Sequence, residues 1–272
     1  MTERPRLSVV MAAPAGSASL ESARLAFEAQ IEPALGDELI VETGETNAVL
    51  VPELWTRGIL KSRGEIVALT LASIVPDPGW AQIVRRTFEE SVAGVGGAIE
   101  PGSAMRPLDW AIHLARYSGY LLPFAARDVD DLPGDNAAYR RQAIEQCRSR
   151  WIEGFWETAV DRELRLSGKR LRLTPEMVVR QGRSSGFFAF CRNRFRHGRH
   201  HAAQKARERP RRQRWIRVLI SPVVPAVLFV RIARRAISRD RVRALGLALP
   251  YLWVFLAAWA AGEAVGYIRG NG

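Results

Sequence analysis

Apolar residues in the first half of the chain fall into short β-branched runs, with stretches of helical period between them. Residues 7–12 (LSVVMA), 38–42 (ELIVE), 66–71 (IVALTL) and 92–99 (VAGVGGAI) read as strands. Between them, residues 20–31, 55–63 and 80–90 carry apolar positions at helical spacing, the first with Leu20, Ala23, Leu25, Ala26 and Ala29 as inner positions. A further helix is predicted over 109–124, with Trp110, Tyr117 and Tyr120 packed along it or lining an acceptor opening. Strands alternating with helices predict an α/β domain over 1–191, a mainly parallel sheet, and ligand sites at the strands' C-terminal ends. The opening MTERPRLSVVMAAPAG reads as a buried strand and not a cleavable leader, since Pro14, Gly16 and Glu21 interrupt the apolar run.

The pattern changes near the end. From Ala244 to Gly262 the chain carries no charge (ALGLALPYLWVFLAAWAAG), which predicts a transmembrane helix over 244–268. An earlier apolar stretch, Val218 to Val230, has two prolines and Arg217 and Arg231 at its ends. It reads as an interfacial or re-entrant helix, with a kinked span as the alternative. Residues 218–272 therefore form a predicted membrane-associated hairpin, preceded by a basic juxtamembrane segment over 192–217.

Charge sharpens this division. Between Arg192 and Arg243 there are seventeen Lys or Arg against two acids, Glu208 and Asp240. Glu263 and Arg269 cancel, so against a whole-chain charge of +12 that surplus of fifteen leaves residues 1–191 at about −3. A basic segment beside an apolar helix predicts attraction to anionic membrane lipids and a cytoplasmic-facing domain at the inner membrane. Nucleic acid is the rival partner for so many arginines; the adjoining apolar helix argues against it. His197, His200 and His201 lack a Cys or carboxylate partner at useful spacing and read as part of a solvated basic helix. Cys147 and Cys191 give no disulfide framework or metal spacing.

Several segments, in order, resemble family-2 glycosyltransferases of the GT-A fold: LSVVMAAP, IVETGET, SRGEIVALTLASIVPDPGW, VGGAIEP, LPGDNAAYRR and FWETAVDRELRLSGKRLRLTPEMVV. The resemblance covers about residues 6–200. It implies a nucleotide-sugar donor, a lipid-linked or cell-envelope acceptor, and an inverting hexosyl transfer. A catalytically silent relative that binds a nucleotide-sugar or scaffolds partners at the membrane is the other reading.

Residue by residue, the resemblance puts Glu157 at the position of the catalytic base, which takes the acceptor's proton as its oxygen attacks the anomeric carbon. The alternative for Glu157 is an ordinary carboxylate at a helix N-terminus. Glu42 stands where a carboxylate contacts the nucleotide's base or ribose, or is a turn residue. Asp135 and Asn136 are donor-binding candidates in a glycine turn, with helix capping as the alternative for Asn136. Arg140 is a candidate for the donor phosphates, or else begins a solvated helix. Asp161 and Glu163 read as solvated helix residues. Arg214 and Trp215 match the end of a Gln-x-x-Arg-Trp element at the acceptor or product side, although Arg211 replaces its Gln.

One position departs from the family. Where an Asp-x-Asp pair would hold the divalent cation usual for these enzymes, Mg or Mn, this chain has Leu71, Ala72 and Ser73. None of them offers a carboxylate to a hard cation, so no metal ligand is assigned. Asp77, in the following PDPG turn, reads as structural.

Overall fold

The computed structural model describes residues 5–17, 19–46, 49–88, 91–182, 186–207 and 209–269. By their internal contacts these divide into two units: residues 1–102 with 120–183, and residues 103–119 with 184–272.

The first unit is built on an eight-stranded sheet. In chain order its elements are β1 (Leu7–Ala13), α1 (Leu20–Glu28), β2 (Glu38–Thr43), α2 (Val51–Lys61), β3 (Ile66–Leu71), β4 (Ile74–Pro76), α3 (Trp80–Thr87) and β5 (Val92–Pro101). The chain leaves for α4 (Pro107–Tyr117) in the second unit, then returns through β6 (Arg127–Asp128), β7 (Ala137–Arg140), α5 (Arg141–Gln146), α6 (Glu157–Leu166) and β8 (Arg170–Gln181). Strand order is β2-β1-β3-β7-β5-β8-β4, with β6 also paired to β8.

β1 and β3 are buried at every residue, as their unbroken apolar runs require of strands covered on both faces. The expected mainly parallel sheet is corrected in its centre. β7 runs antiparallel to both β3 and β5, and β4 and β6 run antiparallel to β8. β7 is only four residues (AAYR), without a β-branched residue, so the pattern alone predicts no strand there. Helix α2 begins earlier than its periodicity indicated, because Pro52 sits in its first turn. On α1 only Ala23 and Phe27 are buried, and Leu25 faces solvent.

β5 and β8 lock tightly together. Their register shifts between Gly97 and Ala98, so that Thr174 and Val178 of β8 oppose consecutive residues of β5. This bulge turns the Met177 carbonyl toward Gly97, where an added Cβ would overlap it and would come within 2.6 Å of Asn136 Nδ2.

The second unit is helical: α4, α7 (Phe187–Arg207), α8 (Arg211–Ile220), α9 (Val224–Ile237) and α10 (Val242–Arg269). α7 and α10 run side by side. The Phe190 and Phe255 rings are 4.6 Å apart, Arg194 lies 4.3 Å over the Trp259 ring, and Ala202 and Ala206 meet Tyr267. A Cβ on Gly262 or Gly266 would overlap the α7 backbone, and one on Gly198 would overlap that of α10. The α7 segment expected as a solvated basic helix is thus half packed away. Burial, with Arg194 and Arg116 nearby, pulls His197 down to about 3, so it is neutral at neutral pH. Cys147 and Cys191 are free, and burial pushes the Cys147 thiol up to about 11.

Gly97→Ala tests the β5–β8 lock: the added methyl must displace backbone, and overpacking of this kind costs about 1–3 kcal/mol. Thermal unfolding is expected to show a Tm lowered by several degrees; an unchanged Tm would mean the bulge gives way freely.

Candidate active site

Around the C-terminal ends of β1 and β2 the chain forms a hollow of about 430 Å³, lined by residues 13–17, Leu20, Thr43 and Gly44. Gly44 N–H donates to the Ala13 carbonyl (2.9 Å), which closes the strand ends together. Glu42 lies one residue before Thr43 and pairs in register with Ala12. It is buried, and its Oε1 accepts from Lys61 Nζ at 2.6 Å.

Glu157 is the first residue of α6. It stands against a short 3₁₀ turn, Gly134–Asn136, whose three residues are all buried. A Cβ on Gly134 would come within 3.0 Å of the Glu157 carboxyl carbon and 2.9 Å of Trp55 Cη2, so a glycine is needed for this close approach. Trp55 in turn donates from Nε1 to the Thr70 carbonyl near the end of β3 (2.9 Å). Glu157, the Gly134–Asp135 turn and the last residues of β3 therefore meet around one indole ring. Helix α2 carries both this ring, which closes on Gly134, and Lys61, the partner of Glu42.

Asn136 is wholly buried and fully committed inside the protein. Its Nδ2 donates to the carbonyls of Ala98 (2.9 Å) and Met177 (2.8 Å), and its Oδ1 accepts from Trp80 Nε1 (2.9 Å). Arg140, at the end of β7, pairs in register with Ile66 at the opposite, N-terminal end of β3. Its Nε donates to the Val92 carbonyl (2.9 Å) and its guanidinium lies 5.1 Å over the Phe88 ring. Asn136 thus holds the turn, and Arg140 ties the end of β7 to the start of β5. Asp135 stays in the turn beside Gly134. Arg214 and Trp215 lie on α8 of the second unit; Arg214 Nε donates to the Arg209 carbonyl (3.0 Å), and Trp215 is exposed.

Asp161, expected to be solvated, is instead completely buried one helical turn beyond Glu157. The Leu132 N–H donates to its Oδ2 (2.7 Å) and the Tyr139 hydroxyl to its Oδ1 (2.9 Å). Burial raises its pKa well above the usual carboxylate value, and the nearby Glu157 adds to that; the two hydrogen bonds act the other way. Its sequence signal is only an i, i+4 relation to Glu157 with Val160 and Leu164 on the same helix, which does not separate a buried acid from an exposed one. Glu163 meets Arg150 at 3.0 Å and is partly exposed.

The cation position does not fit a cation. Leu71 and Ala72 are buried, and the Ser73 carbonyl accepts from the Gly182 N–H (2.7 Å). Asp77 is held by both Arg180 Nε and Nη2, at 2.7 and 2.9 Å. Among the described residues no three His, Cys, Asp or Glu side chains come together.

No protein-family model matches the chain, and no curated protein sequence does. Solved structures do. A mannosyltransferase from Pyrobaculum calidifontis, in complex with GDP-Man and Mn2+, superposes with a TM-score of 0.56 and 16% identity, covering 96% of this chain and 88% of that one. GalNAc-T7 with UDP, GalNAc and Mn2+ gives a TM-score of 0.48 at 11% identity, over 67% of this chain and 45% of that one. The fold is the GT-A glycosyltransferase fold, a mixed α/β sheet followed by apolar C-terminal helices.

Asp161 makes stability depend on pH in a defined direction. Its folded pKa is raised, so the stability it lends is fully present below its unfolded value, about 3.9, and is lost as pH rises through the folded one. Chemical denaturation of Asp161→Asn across mildly acidic to neutral pH is expected to give a flatter profile than the wild type. Parallel profiles would show that the carboxyl does not titrate on folding.

Proposed function

We propose that the chain is a family-2-type inverting glycosyltransferase that moves a sugar from a nucleotide-sugar to a lipid-linked or envelope acceptor at the cytoplasmic face of a membrane. The observation that carries this is Glu157, an N-terminal helix carboxylate held against a glycine turn in a GT-A fold, at the position where the family resemblance puts the base.

In this reading the hollow at the ends of β1 and β2 takes the nucleotide. Thr43 and Gly44 form its wall, and Glu42 is steadied behind it by Lys61. Glu157 accepts the proton of the acceptor hydroxyl while that oxygen bonds to the anomeric carbon and the nucleoside diphosphate departs with the bonding pair. Asp135 beside Gly134 faces the donor sugar. Asn136 and Asp161 act as positioning residues, because their own hydrogen bonds hold the turn that Glu157 meets. No step is routed through a divalent cation, since the residues at its usual place do not fit one.

That same place favours a second reading. Leu71, Ala72 and Ser73, with Asp77 already bound to Arg180, leave the diphosphate without its usual counter-charge. A relative that binds a nucleotide-sugar and does not turn it over would look the same.

A panel of nucleotide-sugars, each with and without Mn2+, distinguishes the readings by thermal shift and by donor turnover. A ligand at about one hundred times its Kd stabilises by about 2.7 kcal/mol, so binding is visible whether or not the chain is active. The transferase reading expects stabilisation and turnover, with turnover falling about 10²- to 10⁴-fold in Glu157→Gln while stabilisation persists. Stabilisation without turnover selects the silent reading; no stabilisation by any donor overturns both.

A further inference from the structure

Leu71, Ala72 and Ser73 occupy the place of a divalent cation's ligands and do not fit one, but the adjoining strand pair carries a cation of its own, Arg180. Given that the hollow takes the nucleotide, as proposed above, we propose that Arg180 stands in for the metal. Its guanidinium, oriented by Asp77, donates hydrogen bonds to the donor diphosphate, so that donor binding needs no divalent ion.

Register places this side chain. β4 runs antiparallel to the end of β8, with Ile74 opposite Gln181 and Val75 opposite Arg180. The pairing continues one residue further, where the Gly182 N–H donates to the Ser73 carbonyl (2.7 Å). Opposite residues of an antiparallel pair share a face, and successive side chains alternate between faces. Ile74 and Gln181 take the buried face, at 0% and 3% exposure. Ser73, Val75 and Arg180 therefore share the other, more open one. On that face Ser73 is the diagonal neighbour of Arg180, at about 7–8 Å, which is within reach of a long side chain.

The same stretch borders the hollow. The Ala72 N–H donates to the Ala12 carbonyl (3.0 Å), and Ala13, the next residue, lines the hollow. A Cβ on Gly182 would lie 3.8 Å from Ser19 Oγ, and Leu20 beside Ser19 is again a lining residue.

The guanidinium is already set for an anion. Asp77 accepts from its Nε (2.7 Å) and Nη2 (2.9 Å), a two-point grip that occupies one edge of the planar fork. The edge carrying Nη1 meets no acceptor among the described residues, and the side chain is 51% exposed. Glu100, opposite Arg180 on β5, is buried, and its Oε1 accepts from the Leu122 N–H (2.8 Å). A metal ion held by carboxylates is likewise balanced by them and grips phosphate through its open positions. Here the open positions are N–H bonds on a group that stays charged throughout the physiological pH range.

Isothermal titration of the full chain with UDP, GDP, ADP, CDP and dTDP, each beside its nucleoside, separates the diphosphate's contribution from that of the base. In EDTA the wild type is expected to bind one of these diphosphates more tightly than its nucleoside. Arg180→Gln is expected to weaken that diphosphate about 10- to 100-fold, the range for hydrogen bonds to charged groups, with nucleoside affinity unchanged. Arg180→Lys, which keeps the charge but loses the fork, is expected to fall between. Diphosphate binding that requires Mn2+, or that survives Arg180→Gln unchanged, would overturn this proposal and leave the nucleotide reading standing. A loss falling equally on the nucleoside would mark a folding role for the Arg180–Asp77 pair and overturn it as well. Absence of binding by every nucleoside and diphosphate would overturn the nucleotide reading together with it.

Discussion

The Asn136 side chain is the constraint from which the rest of the site follows. With no solvent contact, its amide has to satisfy every hydrogen bond inside the protein, and three partners from three elements do so: Ala98 on β5, Met177 at the β8 bulge and Trp80 on α3. A buried amide with a missing partner costs far more than a complete one contributes, so these elements have one mutual arrangement that is comfortable. That arrangement pins the turn 134–136, and only then does Gly134 stand where Trp55 and the Glu157 carboxylate close on it. The candidate base is thus placed against a turn held by a fully buried amide that spends both its N–H groups inside the protein.

The legible parts of the chain were those with a single strong periodicity. The runs over 7–12 and 66–71 could only be buried strands, and they are. The antiparallel β7 escaped because AAYR has neither length nor β-branching, and its pairing is enforced by neighbours far away in sequence. Asp161 escaped for a related reason. Helical spacing says which residues share a face, not whether a hydroxyl from Tyr139 and an N–H from Leu132 await an acid on that face. Trp55 was legible as a helix residue but not as the ring around which Glu157 and the end of β3 meet. For α10, hydropathy gave its length and apolar character but not which of its residues would pack against α7.

The arginine surplus, one feature in the sequence, becomes two in the structure. On α7 it is partly structural, with Arg194 laid over Trp259 and burial drawing its guanidinium down to about 9, still charged at neutral pH. On α8 and α9 it stays at the surface beside apolar side chains. Counting charges along the chain merges these roles. Separated, the same residues describe a helical unit with one apolar, arginine-bordered side.

The fate of the cation position bears on binding and turnover unequally. In the proposed reading the donor is held by the hollow of about 430 Å³ at the ends of β1 and β2. Cleaving its anomeric bond requires in addition that the negative charge growing on the diphosphate be offset as it forms. Leu71, Ala72 and Ser73 contribute nothing to that offset, and Asp77 is occupied by Arg180 on the neighbouring strand pair. In the proposed transfer, any counter-charge at this place comes from groups other than these four side chains. In the proposed reaction, the absence of a carboxylate pair there bears on kcat before donor affinity, so Glu157 and the turn it meets report on proposed turnover and the hollow on proposed donor binding.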